Sequence, residues 1–241
     1  MNKKIISYLK EIDEDTYIPP SYFPPLKAKN SYADSGVNLD RKKLLMDIEK
    51  EVSKCKKCPL GLTRLKAVFG MGNPYSKVMF IGEGPGWEED HQGLPFVGKA
   101  GHLLDKILAA IGLNRGVVYI TNIVKCHPMI NPQTPQARGN DRPPTSDEIF
   151  ACSHYLHEQI KVIRPACVVT LGNTATRFFI PHAKGVSQVR GKFHTIDGFI
   201  EDLKLAILPT YHPAALLRNP SLKKDTWQDM KSLRDFLKDL K

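Results

Sequence analysis

Short apolar runs alternate with helix-forming stretches through the middle of this chain, and that alternation restricts its fold more than any other feature. The runs are Val78–Ile81, Val117–Ile120, Cys167–Leu171 and Leu205–Leu208. Each is brief and apolar throughout, which predicts strands covered on both sides rather than strands with a wet face. The stretches between them have a helical period. After Gly98, the residues Ala100, Leu103, Leu104, Ile107, Leu108 and Ile111 recur on one helix face. Thr145 to Ile163 opens with Thr-Ser-Asp-Glu, a capping pattern. Asp40 opens a helix towards Ser53 with Leu44, Leu45, Ile48 and Val52 inward, and the C-terminal stretch carries Trp227, Met230, Leu233, Leu237 and Leu240 on one side. Buried strands alternating with amphipathic helices predict an α/β fold, a parallel sheet with helices on both faces.

In such sheets ligands bind beyond the carboxyl ends of the strands. Each run here passes directly into a polar or glycine-rich segment: Gly82-Glu83-Gly84-Pro85-Gly86, Thr121-Asn122, Gly172-Asn173, and Pro209-Thr210-Tyr211-His212-Pro213. These four segments are expected to converge on one crevice. The glycines of the first let a backbone approach a ligand and present its N–H groups. Their spacing is not that of a dinucleotide fingerprint, the acidic run Trp-Glu-Glu-Asp follows, and a plain βα turn fits equally well. Phe96, in Gly93-Leu-Pro-Phe-Val-Gly98, suits stacking on a flat ring, although a core phenylalanine has the same signature. Asn122 carries a planar amide that can read a base edge offering an acceptor and an N–H, and asparagine also forms turns. His212, fixed by Pro213, is placed to stabilise developing negative charge. Leu216 and Leu217 followed by Arg218 have the form of a wedge with a phosphate contact, with at least one leucine expected to face the core.

Lysine and arginine number 35 against 25 aspartates and glutamates, a formal net charge of +10. That surplus suits a polyanionic partner, as it also suits a merely soluble basic protein. No apolar run approaches the ~18 residues of a membrane span, and the N-terminal stretch meets Lys10 and Glu11 too early for a secretory signal. The cytoplasm is the expected compartment, with no membrane partner. Residues 1–40 read as an extension, a short amphipathic helix through Ile5, Ile6, Leu9 and Ile12 and then a proline-rich tether around Pro19–Pro25, ahead of a domain over 41–241. Stable disulfides are not expected in that compartment. Four of the five cysteines, Cys55 and Cys58 in Cys-Lys-Lys-Cys-Pro plus the distant Cys126 and Cys152, form a plausible set of soft ligands. Iron–sulfur, zinc and four unrelated structural thiols all remain open on the residues alone. A zinc-dependent base deaminase does not match, because proline follows the close pair instead of preceding it. Cys167 lies inside an apolar run and reads as core.

Taken in chain order, the motifs resemble the family 4 uracil-DNA glycosylases, the iron–sulfur branch of their superfamily. The resemblance covers about residues 50–240 and rests on Cys-x-x-Cys-Pro, Gly-Glu-Gly-Pro-Gly with its acidic run, Gly-Leu-Pro-Phe-Val-Gly-Lys-Ala-Gly, Thr-Asn-Ile-Val-Lys-Cys and His-Pro-Ala-Ala-Leu-Leu-Arg. It implies a three-layer α/β/α fold with a central four-stranded parallel sheet. It implies a structural 4Fe-4S cluster on Cys55, Cys58, Cys126 and Cys152. Flipped uracil would stack on Phe96 and hydrogen-bond to Asn122 and the backbone of Gly82, Glu83 and Gly84, with His212 against its O2 side.

Related glycosylases hold an aspartate where this chain has Gly84, so the resemblance leaves Glu83, and after it Glu89, to position the attacking water. The Cys126–Cys152 connection is longer than the family pattern. A related branch carries a basic loop there, with a histidine that bonds to the sugar. Here Arg138 and Arg142 are expected DNA contacts beside Leu216, Leu217 and Arg218, or the extra length is simply mobile, and no histidine follows His127 in the loop. Turnover by a monomer on single- and double-stranded uracil-containing DNA is therefore expected. A uracil-DNA binding protein without turnover, or a zinc-stabilised structural domain, is the alternative.

Overall fold

Every residue of Val78–Gly82 is buried, and successive side chains enter different cores. Met79 and Ile81 join one apolar cluster and Val78 and Phe80 the other, so the strand is covered on both faces. The computed structural model describes residues 40–200 and 202–240. In chain order, α1 (Arg41–Lys54) and α2 (Leu60–Thr63) precede β1 (Met71–Gly72) and β2 (Val78–Gly82). Next come α3 (Trp87–Gln92), α4 (Lys99–Ala110), β3 (Tyr119–Asn122), α5 (Ser146–Ile163) and β4 (Cys167–Leu171). The remainder is α6 (Asn173–Phe179), α7 (Val186–Val189), β5 (His194–Ile200), β6 (Leu203–Thr210), α8 (Pro213–Arg218) and α9 (Leu222–Asp239).

The strands form one six-stranded sheet in the order β1-β3-β2-β4-β6-β5. Its centre, β3-β2-β4-β6, is parallel, as expected. Each edge is extended by an antiparallel strand, β1 against β3 and β5 against β6. These two were not expected: β1 spans two residues, and β5 is half exposed along much of its length and lacks a buried apolar run. Helices α1, α5 and α6 cover one face, and α4 and α9 the other. Each fully buried leucine or isoleucine in these layers stabilises the fold by about 1.5–3 kcal/mol relative to exposure.

Local chemistry sets the helix starts. Asp40 accepts the Lys43 N–H at 3.1 Å and caps α1. Thr145 and Glu148 form a reciprocal capping box on α5. The second expected strand begins two residues late, because Val117 and Val118 both turn their N–H groups onto Asn114 O. Asn122 is therefore the last residue of β3. The register pairs Gly82 with Asn122 and Leu171 with Thr210, which brings the four parallel strands to one level. The chain steps from β2 out to β3 and then back across to β4, the order reversal at which α/β sheets open a crevice. No helix among the described residues is long and apolar enough to cross a membrane. The expected helix through Ile5–Ile12 and its proline-rich tether lie outside the described residues.

Candidate active site

A cleft of about 810 Å3 opens at the carboxyl ends of the parallel strands. All four expected segments reach it: Glu83 and Gly84 after β2, Asn122 on β3, Gly172 after β4, and His212 after β6. A missing side chain shapes its floor. A Cβ on Gly82 would stand 2.6 Å from Phe96 Cζ and overlap Asn122 Oδ1, so only glycine lets ring and amide close over the end of β2. Phe96 is buried and holds φ at +54°, a left-handed conformation uncommon for a residue with a side chain. Its ring lies 5.6 Å from that of His212 at 30°. Asn122 is buried, and its Oδ1 has no hydrogen-bond partner among the described residues. An orphaned buried acceptor costs about 1–3 kcal/mol. On a cleft wall it marks a place for a ligand N–H.

His212 caps α8, where its Nδ1 accepts the Ala214 N–H at 3.1 Å. An accepting Nδ1 leaves the proton of the neutral ring on Nε2. Burial, helped by the charge of Arg218, pulls His212 down to about 4, so at neutral pH it is an uncharged N–H donor. Glu83 is half buried, and its Oε2 accepts a short hydrogen bond from Thr174 at the start of α6. Burial pushes the Glu83 carboxyl above the ordinary carboxylate value, and the Thr174 hydroxyl opposes that rise. The cleft thus brings together an unsatisfied amide, an apolar ring, a neutral imidazole donor and a carboxylate with a raised pKa.

The profile of the Uracil DNA glycosylase superfamily matches residues 69–237. The chain is similar to the Type-4 uracil-DNA glycosylase of Saccharolobus solfataricus, 44% identical over 195 residues that cover 79% of this chain and 85% of that one. The protein of the same name from Sulfurisphaera tokodaii is 42% identical over 197 residues, 80% of this chain and 84% of its own. That of Thermotoga maritima is 41% identical over 201 residues, 82% and 97% respectively. The chain belongs to the type-4 uracil-DNA glycosylases.

In this type-4 glycosylase several charged residues near the cleft have structural work. Glu89 spends both carboxylate oxygens on backbone: Oε1 accepts from Val97 and Gly98 at 2.8 and 3.0 Å, and Oε2 from Gly86 at 3.2 Å. It closes the loop that carries Phe96, and Glu83 is the carboxylate left to face the cleft. The capping spacing Gly86–Glu89 was the available sequence signal for this role. An aspartate at Gly84, as in related enzymes, would require Val124 to shift, since a Cβ there would meet Val124 Cγ2 at 2.8 Å.

The long connection after Cys126 is tied down by hydrogen bonds. Asn140 is buried in it and bonds to Asn131 and Thr134. Gln136 meets Trp87 and His91 of α3 at 3.0 and 2.6 Å. Arg138 stays exposed at the cleft mouth, 4.1 Å over the Trp87 ring and 3.0 Å from Glu88. Leu216 is buried, whereas Leu217 is 47% exposed and Arg218 lines the cleft.

Arg142, the other expected DNA contact of this loop, lines the cleft but is also held within the protein. Its fork grips buried Glu148 at 2.7 and 2.8 Å and Met129 O at 3.0 Å. Burial would raise the Glu148 carboxyl, but Arg142 and the Thr145 amide outweigh it and hold the carboxyl below its ordinary value. A lowered carboxyl stabilises the fold at neutral pH and loses that contribution as pH falls through the lowered value. Arg142→Ala should cost on the order of 2–3 kcal/mol in denaturant unfolding, less than a fully buried pair because Arg142 is 30% exposed. The salt dependence of DNA binding should not change. A slope smaller by about one, with unchanged stability, would return Arg142 to the phosphates.

Cys126 and Cys152 are buried, and Cys55 and Cys58 pack against the same core. The four are in electrostatic reach of one another: Cys126 feels Cys58 and Cys55, and Cys152 feels Cys126 and Cys58. Cys167 is buried in the opposite core, as expected. Among the described residues no group of three or more His, Cys, Asp or Glu is drawn together in a way that would hold a metal ion. By type, four thiols are soft donors that suit an iron–sulfur cluster and zinc alike. Arg64 Nη1 donates to Cys126 Sγ at 2.8 Å and the Lys125 amide to Cys152 Sγ at 3.3 Å. As free thiols, burial pushes Cys126 up to about 11 and Cys152 to about 12. Lys125, missed from the sequence, is fully buried and donates to Thr121 Oγ1, Asn122 O and Gln159 Oε1 at 2.7, 2.6 and 2.7 Å. It joins the thiol cluster to the backbone of Asn122.

Proposed function

We propose that the chain excises uracil from DNA by hydrolysing the N-glycosidic bond, leaving an abasic site. The observation that carries this reading is the orphaned Asn122 Oδ1 beside the Phe96 ring. Uracil presents an N–H at N3 and an acceptor at O4, the complement of one amide, whereas cytosine presents the reverse pattern. The base must leave the duplex to reach this depth. Leu217, exposed beside the cleft, is the side chain suited to hold the gap in double-stranded DNA, with Arg138 and Arg218 near the phosphates. Single strands need no wedge, and the proposed acting unit is a monomer.

As the glycosidic bond breaks, charge flows onto uracil. A neutral His212 Nε2–H at O2 and the backbone amides around Glu83 and Gly84 stabilise that anion more than the ground state. Glu83 orients water towards the sugar carbon as cationic character develops there. Cys55, Cys58, Cys126 and Cys152 would hold a 4Fe-4S cluster, with Arg64 and Lys125 offsetting its charge. When bound, the cluster supplies a four-thiolate crosslink between the α1–α2 connection, the segment after β3 and α5.

Matched oligonucleotides carrying uracil or cytosine at one position test this reading. Free uracil should leave the first and nothing the second, and equal release or none from both would overturn it. The pH profile tests Glu83. Because its carboxyl is raised, excision should fall as pH drops through a value above the ordinary carboxylate one, while His212, at about 4, stays neutral. Glu83→Gln should slow excision about a hundredfold and flatten that acid limb. A limb that persists assigns it to another group.

A further inference from the structure

Phe96 is held by something other than its own preference. A side-chain-bearing residue at φ +54° persists only where its surroundings over-determine it, and such positions gather at functional sites. The restraint is Arg115, in the connection between α4 and β3. Its Nη1 donates to Pro95 O at 2.9 Å, and its Nη2 makes a short bond to Phe96 O. The same guanidinium is locked from behind. Nε donates to Asp105 Oδ1 at 2.6 Å, Nη2 to Asp105 Oδ2 at 3.3 Å, and Nη1 also meets Met71 Sδ at 3.3 Å.

Asp105 lies on α4, and so does Gly101, where any Cβ would overlap the Phe96 carbonyl. The Phe96 carbonyl is thus pinned between a helix backbone and a planar fork whose three nitrogens are all engaged, while Pro95 is gripped by that same fork. Lysine, a single compact charge, cannot span two carbonyls and a carboxylate at once.

We propose that Arg115 is a positioning residue for base recognition. By holding the Pro95 and Phe96 carbonyls it keeps the Phe96 ring against Gly82 and beside Asn122, and so fixes the plane on which the flipped base stacks. This rests on the reading of Phe96 as the stacking surface. Arg115 itself stands outside the cleft lining, so it acts through Phe96 and touches neither base nor phosphate in this arrangement.

The test compares Arg115→Ala, Arg115→Lys and Phe96→Leu in the full chain. Single-turnover excision at saturating enzyme, affinity for a uracil oligonucleotide and thermal midpoint are read for each. Arg115→Ala should slow the single-turnover step about a hundredfold, the scale of an ångström of misplacement, with DNA affinity retained. Guanidinium ion at non-denaturing concentration should restore part of that rate. Arg115→Lys should recover the thermal midpoint through Asp105 but not the rate, which keeps the test decisive if the alanine variant folds poorly. A parental rate in either arginine variant overturns the proposal. So do rate, affinity and midpoint that fall together in Arg115→Ala and return together in Arg115→Lys, the pattern of a merely structural arginine. A slow Phe96→Leu beside fast arginine variants defeats the proposal alone, whereas a parental Phe96→Leu defeats the stacking reading beneath it.

Discussion

Asn122→Ala is expected to slow uracil excision about a hundred- to a thousandfold, the effect of deleting one preorganised polar contact from a closed site. The same variant should melt no lower than the parent. The amide Oδ1 is buried without a partner among the described residues, so its removal relieves a desolvation penalty of about 1–3 kcal/mol instead of breaking a bond. The backbone carbonyl that Lys125 grips is retained in the variant. A structural asparagine would behave in the opposite way, with stability lost first and activity in proportion. Excision kinetics and a melting curve on one preparation separate the two cases, and the iron content that the proposed cluster would give should be unchanged.

Cys126→Ser should have the largest effect on the fold. Cys126 is buried, accepts an N–H from Arg64, and links the exit of β3 to the last turn of α1, since Arg64 also donates to Ser53 O at 2.8 Å. A structural metal centre can contribute on the order of 10 kcal/mol, against a net domain stability of about 5–15 kcal/mol. Its loss would leave the buried Lys125 ammonium without the anionic neighbours that oppose its desolvation. The protein should purify colourless and melt far below the parent, with excision lost along with the fold. Iron content and a thermal melt check this, and a variant that keeps about four irons per chain or melts at the parental temperature contradicts the crosslink.

The central sheet was legible because buried parallel strands carry continuous apolar runs, and the strand-end rule then located Asn122 and His212, while Phe96 was singled out by its glycine-bounded loop. The edge strands were not, since β5 is half wet and β1 spans two residues. Arg115, Thr174 and Lys125 were missed for a different reason. Their roles exist only through contacts with residues far away in the chain, Phe96, Glu83 and Gln159, and nothing in their local sequence announces a partner. Arg142 shows the converse. Its place in a basic loop suggested a phosphate contact, yet Glu148, six residues on, takes its fork. Sequence position could not announce that the guanidinium is also engaged inside the protein.

Release of free uracil under multiple turnover tests the central claim most directly. Purified protein is incubated with excess uracil-containing oligonucleotide, the freed base is counted, and the strand is resolved under denaturing conditions. Uracil should exceed the enzyme present, with the strand free and carrying an abasic site. Release that stops at one equivalent with the strand still attached, or no release from iron-replete protein, would contradict the account.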